Sequence, residues 1–199
     1  PDDLRFVQDL GIVRPDPEGG LVIANPIYQE IIPCVLATTT IASLPRIAPT
    51  WLTSDGRLDA SQLLAAFLAF WREHAEALLG SAPYAEVAPH LVLMAFLHRV
   101  ANGGGEILRE YAIGRDRMDL LLIYGPERVA LELKVWAPQR ADPLARGLPQ
   151  LDGYLARLGL ETGWLIIFDR RPGQPPIAER TTVEAVVTAG GRQVTVIRA

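Results

Sequence analysis

The sequence predicts an α/β chain whose core is a mixed sheet flanked by helices. Three observations carry that expectation. From residue 84 onward the elements read helix, strand, strand, strand, helix, strand and hairpin. The strand segments are short apolar runs bounded by Gly, Pro and Asp turn signals, as in Leu120-Leu121-Leu122-Ile123-Tyr124 before Gly125-Pro126. The helical segments carry broad apolar stripes opposite charged residues.

Taken in order, residues 2–10 read as a helix, and 11–13 and 21–23 as short strands around the Gly19-Gly20 turn. Asn25-Pro26 can start a helix running to about residue 36. Together these predict a small, mostly helical N-terminal unit, a helix plus a two-stranded wing. Residues 38–53 contain Pro45 and Pro49 and no helical period, which predicts an extended connector. Asp59 caps a helix to about residue 79, with Leu63, Leu64, Phe67, Leu68, Phe70 and Trp71 on its apolar side. Ser81-Ala82-Pro83 opens another helix, which Asn102-Gly103-Gly104-Gly105 ends. The triple glycine leads from helix to strand, the reverse of the order that aims amides at a phosphate, and reads as a loop. Beyond residue 169 a Pro-rich loop precedes a hairpin of 182–188 with 193–198. The expected division is 1–80, a tail, linker and helix, and 81–199, the domain that carries the chemistry.

With 199 residues and 49% hydrophobic content, the chain can bury one sizeable core, with room for a small second unit. No apolar run approaches the roughly 20 residues of a membrane helix, and no leader-like pattern is present, so a cytoplasmic protein without membrane contact is expected. A lone cysteine, Cys34, excludes an internal disulfide and agrees with that location. The formal net charge of −4 argues against tight autonomous binding of nucleic acid, although Arg109, Arg115 and Arg117 cluster in sequence.

Lys134 is the only lysine; the other eighteen basic side chains are arginine. A position that keeps lysine in such a chain needs a compact ammonium rather than a planar fork. It lies in Leu131-Glu132-Leu133-Lys134-Val135, where alternation puts the three apolar residues on a core face. Glu132 and Lys134 then share the other face, roughly 7 Å apart. The turn at Gly125-Pro126 folds the preceding strand back, bringing Asp119 near Glu132. Two carboxylates and a lysine at a sheet end can hold a hard divalent cation and leave the ammonium for a phosphate.

The order Glu110-x-Tyr-x-x-Gly-Arg115-x-Arg117-x-Asp119, then Glu132-x-Lys134, then Gln150-x-x-x-Tyr154 resembles the PD-(D/E)XK nuclease superfamily over residues 84–170. It is similar to the nuclease domain that follows an ATPase module in prokaryotic proteins. That resemblance implies a restriction-endonuclease-like fold and a Mg2+- or Mn2+-dependent nuclease acting on DNA, part of a longer chain with an ATPase module upstream. Residues 25–33 would then belong to the tail of that module. Asp119, Glu132 and the Leu133 carbonyl would hold the metal, completed by Glu86 or Glu110. Lys134 and Gln150 would act on the attacking water or the phosphate, Arg115 and Arg117 would meet the nucleic acid, and Tyr154 would pack or touch the nucleic-acid backbone. Cutting both strands with this fold usually implies a homodimer. The other reading is a non-catalytic nuclease-fold module that docks DNA or protein, and a third makes Glu132 and Lys134 a surface ion pair of an unrelated α/β domain. His74, His90 and His98 lack the spacing of a zinc site and read as structural.

Overall fold

A computed structural model describes residues 13–15, 21–23, 49–81, 88–113 and 116–199. Compactness divides the chain into Pro1–Leu44 and Pro45–Ala199. In the first unit, β1 (Val13–Pro15) and β2 (Leu21–Ile23) pair antiparallel, Val13 opposite Ile23. The first strand thus runs slightly later than 11–13. The helices expected over 2–10 and from 25 to about 36, and Cys34, lie outside the described residues.

The second unit opens with Trp51 and Leu58 buried around a tight turn, then α1 (Ala60–Ser81) and α2 (Ala88–Ala101). Asp59 caps α1 as its sequence position predicts: its Oδ1 accepts the N–H groups of Ser61 and Gln62 at 2.8 and 3.0 Å. Six strands follow: β3 (Gly105–Ile113), β4 (Asp116–Tyr124), β5 (Glu127–Trp136), β6 (Thr162–Asp169), β7 (Thr182–Val187) and β8 (Gln193–Arg198). α3 (Leu144–Leu158) joins β5 to β6, and a one-turn helix, α4 (Ile177–Arg180), precedes β7.

The sheet order is β3-β4-β5-β6-β8-β7. β3, β4 and β5 form an antiparallel meander, and Gly125, at φ +57°, supplies the left-handed position that the two-residue turn from β4 to β5 requires. β5 and β6 are parallel because α3 carries the chain back across the sheet. β8 inserts parallel to β6, with β7 antiparallel at the edge. This is the predicted mixed sheet flanked by helices, with a strand order consistent with a restriction-endonuclease-like core.

Both faces are covered. On one, Leu151, Tyr154 and Leu155 of α3 pack on Leu121, Ala130, Leu165, Ile167, Val194 and Val196. On the other, Phe168 meets Trp71 of α1 and His90 of α2, ring centroids 5.2 and 5.5 Å apart. Phe96 of α2 is ringed by Trp51, Phe67 and Phe70.

Two expectations change. The boundary falls at Leu44/Pro45 rather than near residue 80, because the apolar stripe of α1 is buried on the same core as Phe168, and Glu76 of α1 accepts the N–H of Ile177 at 2.8 Å. Trp51, assigned to the connector, is core for the same reason. β5 is also not a strand with one core face. α3 covers its polar face, leaving Glu132 0% exposed, while Val135 at the strand end is 38% exposed.

Candidate metal centre

The β4–β5 ladder ends at the pair Leu120 and Leu131. Beyond it the strands part, and the side chain of Asp119 replaces the next backbone bond: its Oδ2 accepts the Leu133 N–H at 2.7 Å. The N–H and C=O of a residue in an antiparallel ladder point to the same side of the strand. The Leu133 carbonyl therefore faces the gap where β4 has turned away, beside the Asp119 carboxylate.

Glu132 lies on the α3 face of β5. Its Oε1 accepts a charge-assisted bond from Lys134 Nζ, while its Oε2 is buried with no hydrogen-bond partner. Burial first, and then the negative charge of Asp119, push its carboxyl up to about 7, against the opposing pull of Lys134. A buried carboxylate oxygen without a donor is costly in water-free surroundings and is the kind of atom a cation satisfies.

Lys134 Nζ also donates to Gln150 Oε1 at 3.0 Å, and Gln150 Nε2 donates to the Tyr154 hydroxyl at 2.7 Å. Gln150 and Tyr154 stand one turn apart on α3, so they reach the same face. α3 can come this close to β5 because of Gly147, where a Cβ would meet Leu165 Cδ1 at 2.8 Å and Lys134 Cγ at 3.4 Å. Sequence reasoning missed Gly147; a glycine one turn before Gln150 was the available signal.

The structure thus brings together Asp119, Glu132, the Leu133 backbone, Lys134, Gln150 and Tyr154. Of the two roles open to Tyr154, packing or contact with the nucleic-acid backbone, the structure shows the packing. Tyr154 is 3% exposed, packed in the core under α3, and its hydroxyl orients Gln150. The surface ion pair of the third reading is also excluded, since Glu132 is fully buried and Asp119 bonds to the residue between it and Lys134. Glu86 and Arg115 lie outside the described residues. Glu110 and Arg117 fall on β3 and β4 without described side chains. Among the described residues no cluster of three metal-ligating side chains forms, so Asp119 and Glu132 stand as a pair. His90 packs on the α1/α2 face of the sheet, where burial above all holds its imidazole below the ordinary pKa. His74 stands beside Phe70 on α1.

The chain matches no protein-family model and no curated protein. Among solved structures it is similar to SfsA of Pyrococcus furiosus, determined in complex with Ca2+, at 16% identity and a TM-score of 0.26 over 69% of this chain. The match spans 63% of that neighbour's length, and a likeness at this level carries no assignment of activity.

Proposed function

We propose that residues 45–199 form a metal-dependent nuclease domain that hydrolyses phosphodiester bonds of DNA. The observation that carries this reading is the unpartnered Oε2 of the buried Glu132, set beside Asp119 and Lys134 where β4 and β5 separate. Asp119, Glu132 and the Leu133 carbonyl are the oxygen set for Mg2+ or Mn2+, with Glu86 or Glu110 as the third carboxylate. Such a cation acidifies a bound water and offsets charge on the phosphoryl oxygens.

The chain's own groups have separable tasks. Lys134 holds its ammonium at a fixed point through Glu132 and Gln150. It can turn from Glu132 to a phosphate oxygen or to the attacking water once that carboxylate takes a metal. Gln150 positions that ammonium, and Tyr154 fixes Gln150. DNA as partner, a homodimer for cutting both strands, and an ATPase module upstream belong to this same reading.

Calorimetric titration of Mn2+ into the wild-type chain, paired with cleavage of double-stranded, single-stranded and branched DNA and of RNA, tests it. Metal should bind at millimolar concentration or below and raise the melting temperature by linkage. Asp119→Asn should remove both metal stabilisation and cleavage. Ca2+ should bind yet support little cleavage, because its larger, looser shell places and acidifies water poorly. No Mn2+ binding with DNA present would leave the docking module as the surviving alternative.

A further inference from the structure

The carboxyl ends of the three parallel strands β5, β6 and β8 meet at Trp136, Asp169 and Arg198, where the backbone is closed by Arg170 N–H to Trp136 O at 2.9 Å. Beside them opens a cavity of about 180 Å3, lined among others by Arg171 and Gln174 of the following loop and Arg180 of α4. Three guanidinium groups line it, with one side-chain carboxylate, Asp169, and the backbone of Ala199 beside them.

These arginines are not equally engaged. Arg171 donates two bonds to Asp169, at 2.9 and 2.6 Å, and its guanidinium carbon stands over the Trp136 indole, 3.5 Å from the ring centroid. The Trp136 ring is itself fixed by its N–H bond to the Arg140 carbonyl at 3.0 Å. Arg198 is held by Asp142 at 2.9 Å, with Glu184 at 3.8 Å. Arg180 differs: its Nε is buried and has no hydrogen-bond partner. That Nε is closed off from the cavity as well as from solvent; the remaining N–H groups of Arg180, a lining residue whose charge also acts on Asp169, are the donors an anionic oxygen would meet. Asp169 leaves the remaining guanidinium N–H groups of Arg171 available to the same ligand.

We propose that this cavity is a phosphate-binding subsite, with Arg180 and Arg171 as donors and Trp136 as the rigid support that aims Arg171. Its volume suits a phosphate group rather than a whole nucleotide, since pockets for larger ligands run to roughly 300 Å3 and above. Trp136 stands two residues past Lys134 on the same face of β5, about 7 Å along the strand. The subsite therefore takes a neighbouring phosphate of the strand whose scissile phosphate faces Lys134. This rests on the nuclease reading, and the phosphate is either internal to the backbone or a terminal monoester.

The test measures binding of labelled oligonucleotides, with and without a 5′-phosphate, to the full chain in Ca2+ across a salt series. Arg180→Gln should weaken binding roughly tenfold and reduce the slope of log affinity against log salt by about one, and Arg180→Lys should restore the slope. Mn2+ binding at Asp119 and Glu132 should be unchanged in both variants. Equal loss on both oligonucleotides assigns the subsite to a backbone phosphate, and loss confined to the 5′-phosphorylated one assigns it to a terminal phosphate. Unchanged affinity and slope in a folded Arg180→Gln protein that still binds Mn2+ would overturn the subsite alone. If Arg180→Gln fails to fold, the same readouts on Arg171→Gln decide. Failure of Mn2+ to bind the wild type would instead remove the nuclease reading.

Discussion

At the residue scale, Glu132 is where fold stability and proposed chemistry oppose each other. The folded chain pushes its carboxyl up to about 7 from an ordinary 4.5 through burial and the charge of Asp119. Below 4.5 the group is protonated in both states and costs nothing. Between 4.5 and about 7 the unfolded chain ionises while the folded chain keeps its proton, so metal-free stability falls as pH rises. Above about 7 the full penalty remains, on the order of 3 kcal/mol. Glu132→Gln should therefore gain stability relative to the wild type between about pH 5 and pH 8 without metal, by a few kcal/mol. Urea unfolding at both pH values checks this, and a constant difference would show that Glu132 is not held this way. At Lys134, replacement by Arg should lower cleavage nearly as much as replacement by Ala, on the order of a hundredfold, with the circular dichroism spectrum unchanged. The ammonium is held between Glu132 and Gln150, where α3 approaches closely at Gly147, and a planar fork presents its donors in a different geometry. Wild-type rates in the arginine variant would remove the argument from headgroup shape.

At the element scale, α3 is the part that gathers the proposed site on β5. It covers the polar face of β5, desolvates Glu132, and delivers Gln150 to Lys134. Its placement depends on two features. Gly147 has no room for a larger side chain, so Gly147→Leu should overpack against Leu165 and Lys134 and cost about 1–3 kcal/mol. Because the displaced helix also carries Gln150, cleavage should fall further than stability predicts, which comparing activity well below the melting temperature would reveal. At its other side, Asp152 ties α3 to the β7–β8 hairpin. Its carboxylate accepts from Thr188 Oγ1 at 2.6 Å, Gly190 N at 3.2 Å and Arg192 Nη1 at 3.1 Å. Asp152→Ala should cost about 1–3 kcal/mol by leaving these donors unmatched, and should raise hydrogen exchange in β7 before it does so in β5. Equal exchange in both strands would mean that the hairpin is held by its ladder alone.

At the scale of the whole molecule, helix α1 belongs with the sheet. A chain beginning at Pro45 should fold cooperatively, whereas one beginning at residue 82 should not, because losing α1 uncovers Phe96 and Phe168. A single sharp thermal transition in the shorter chain would restore the boundary near residue 80. The sequence by itself determined the order of elements, the capped start of α1, the turn at Gly125, and the adjacency of Asp119, Glu132 and Lys134. Those features are written locally, in apolar period, turn residues and the single lysine. Tertiary structure alone decided that Glu132 is fully buried, that Asp119 bonds the Leu133 N–H, that Tyr154 supports Gln150 from within the core, and that arginines from β8, α4 and the loop after β6 converge beside Trp136. The reason is the same in each case. Strand alternation fixes which face a side chain takes, but only the crossover of α3 and the insertion of β8 beside β6 fix what covers that face and which distant residues meet there.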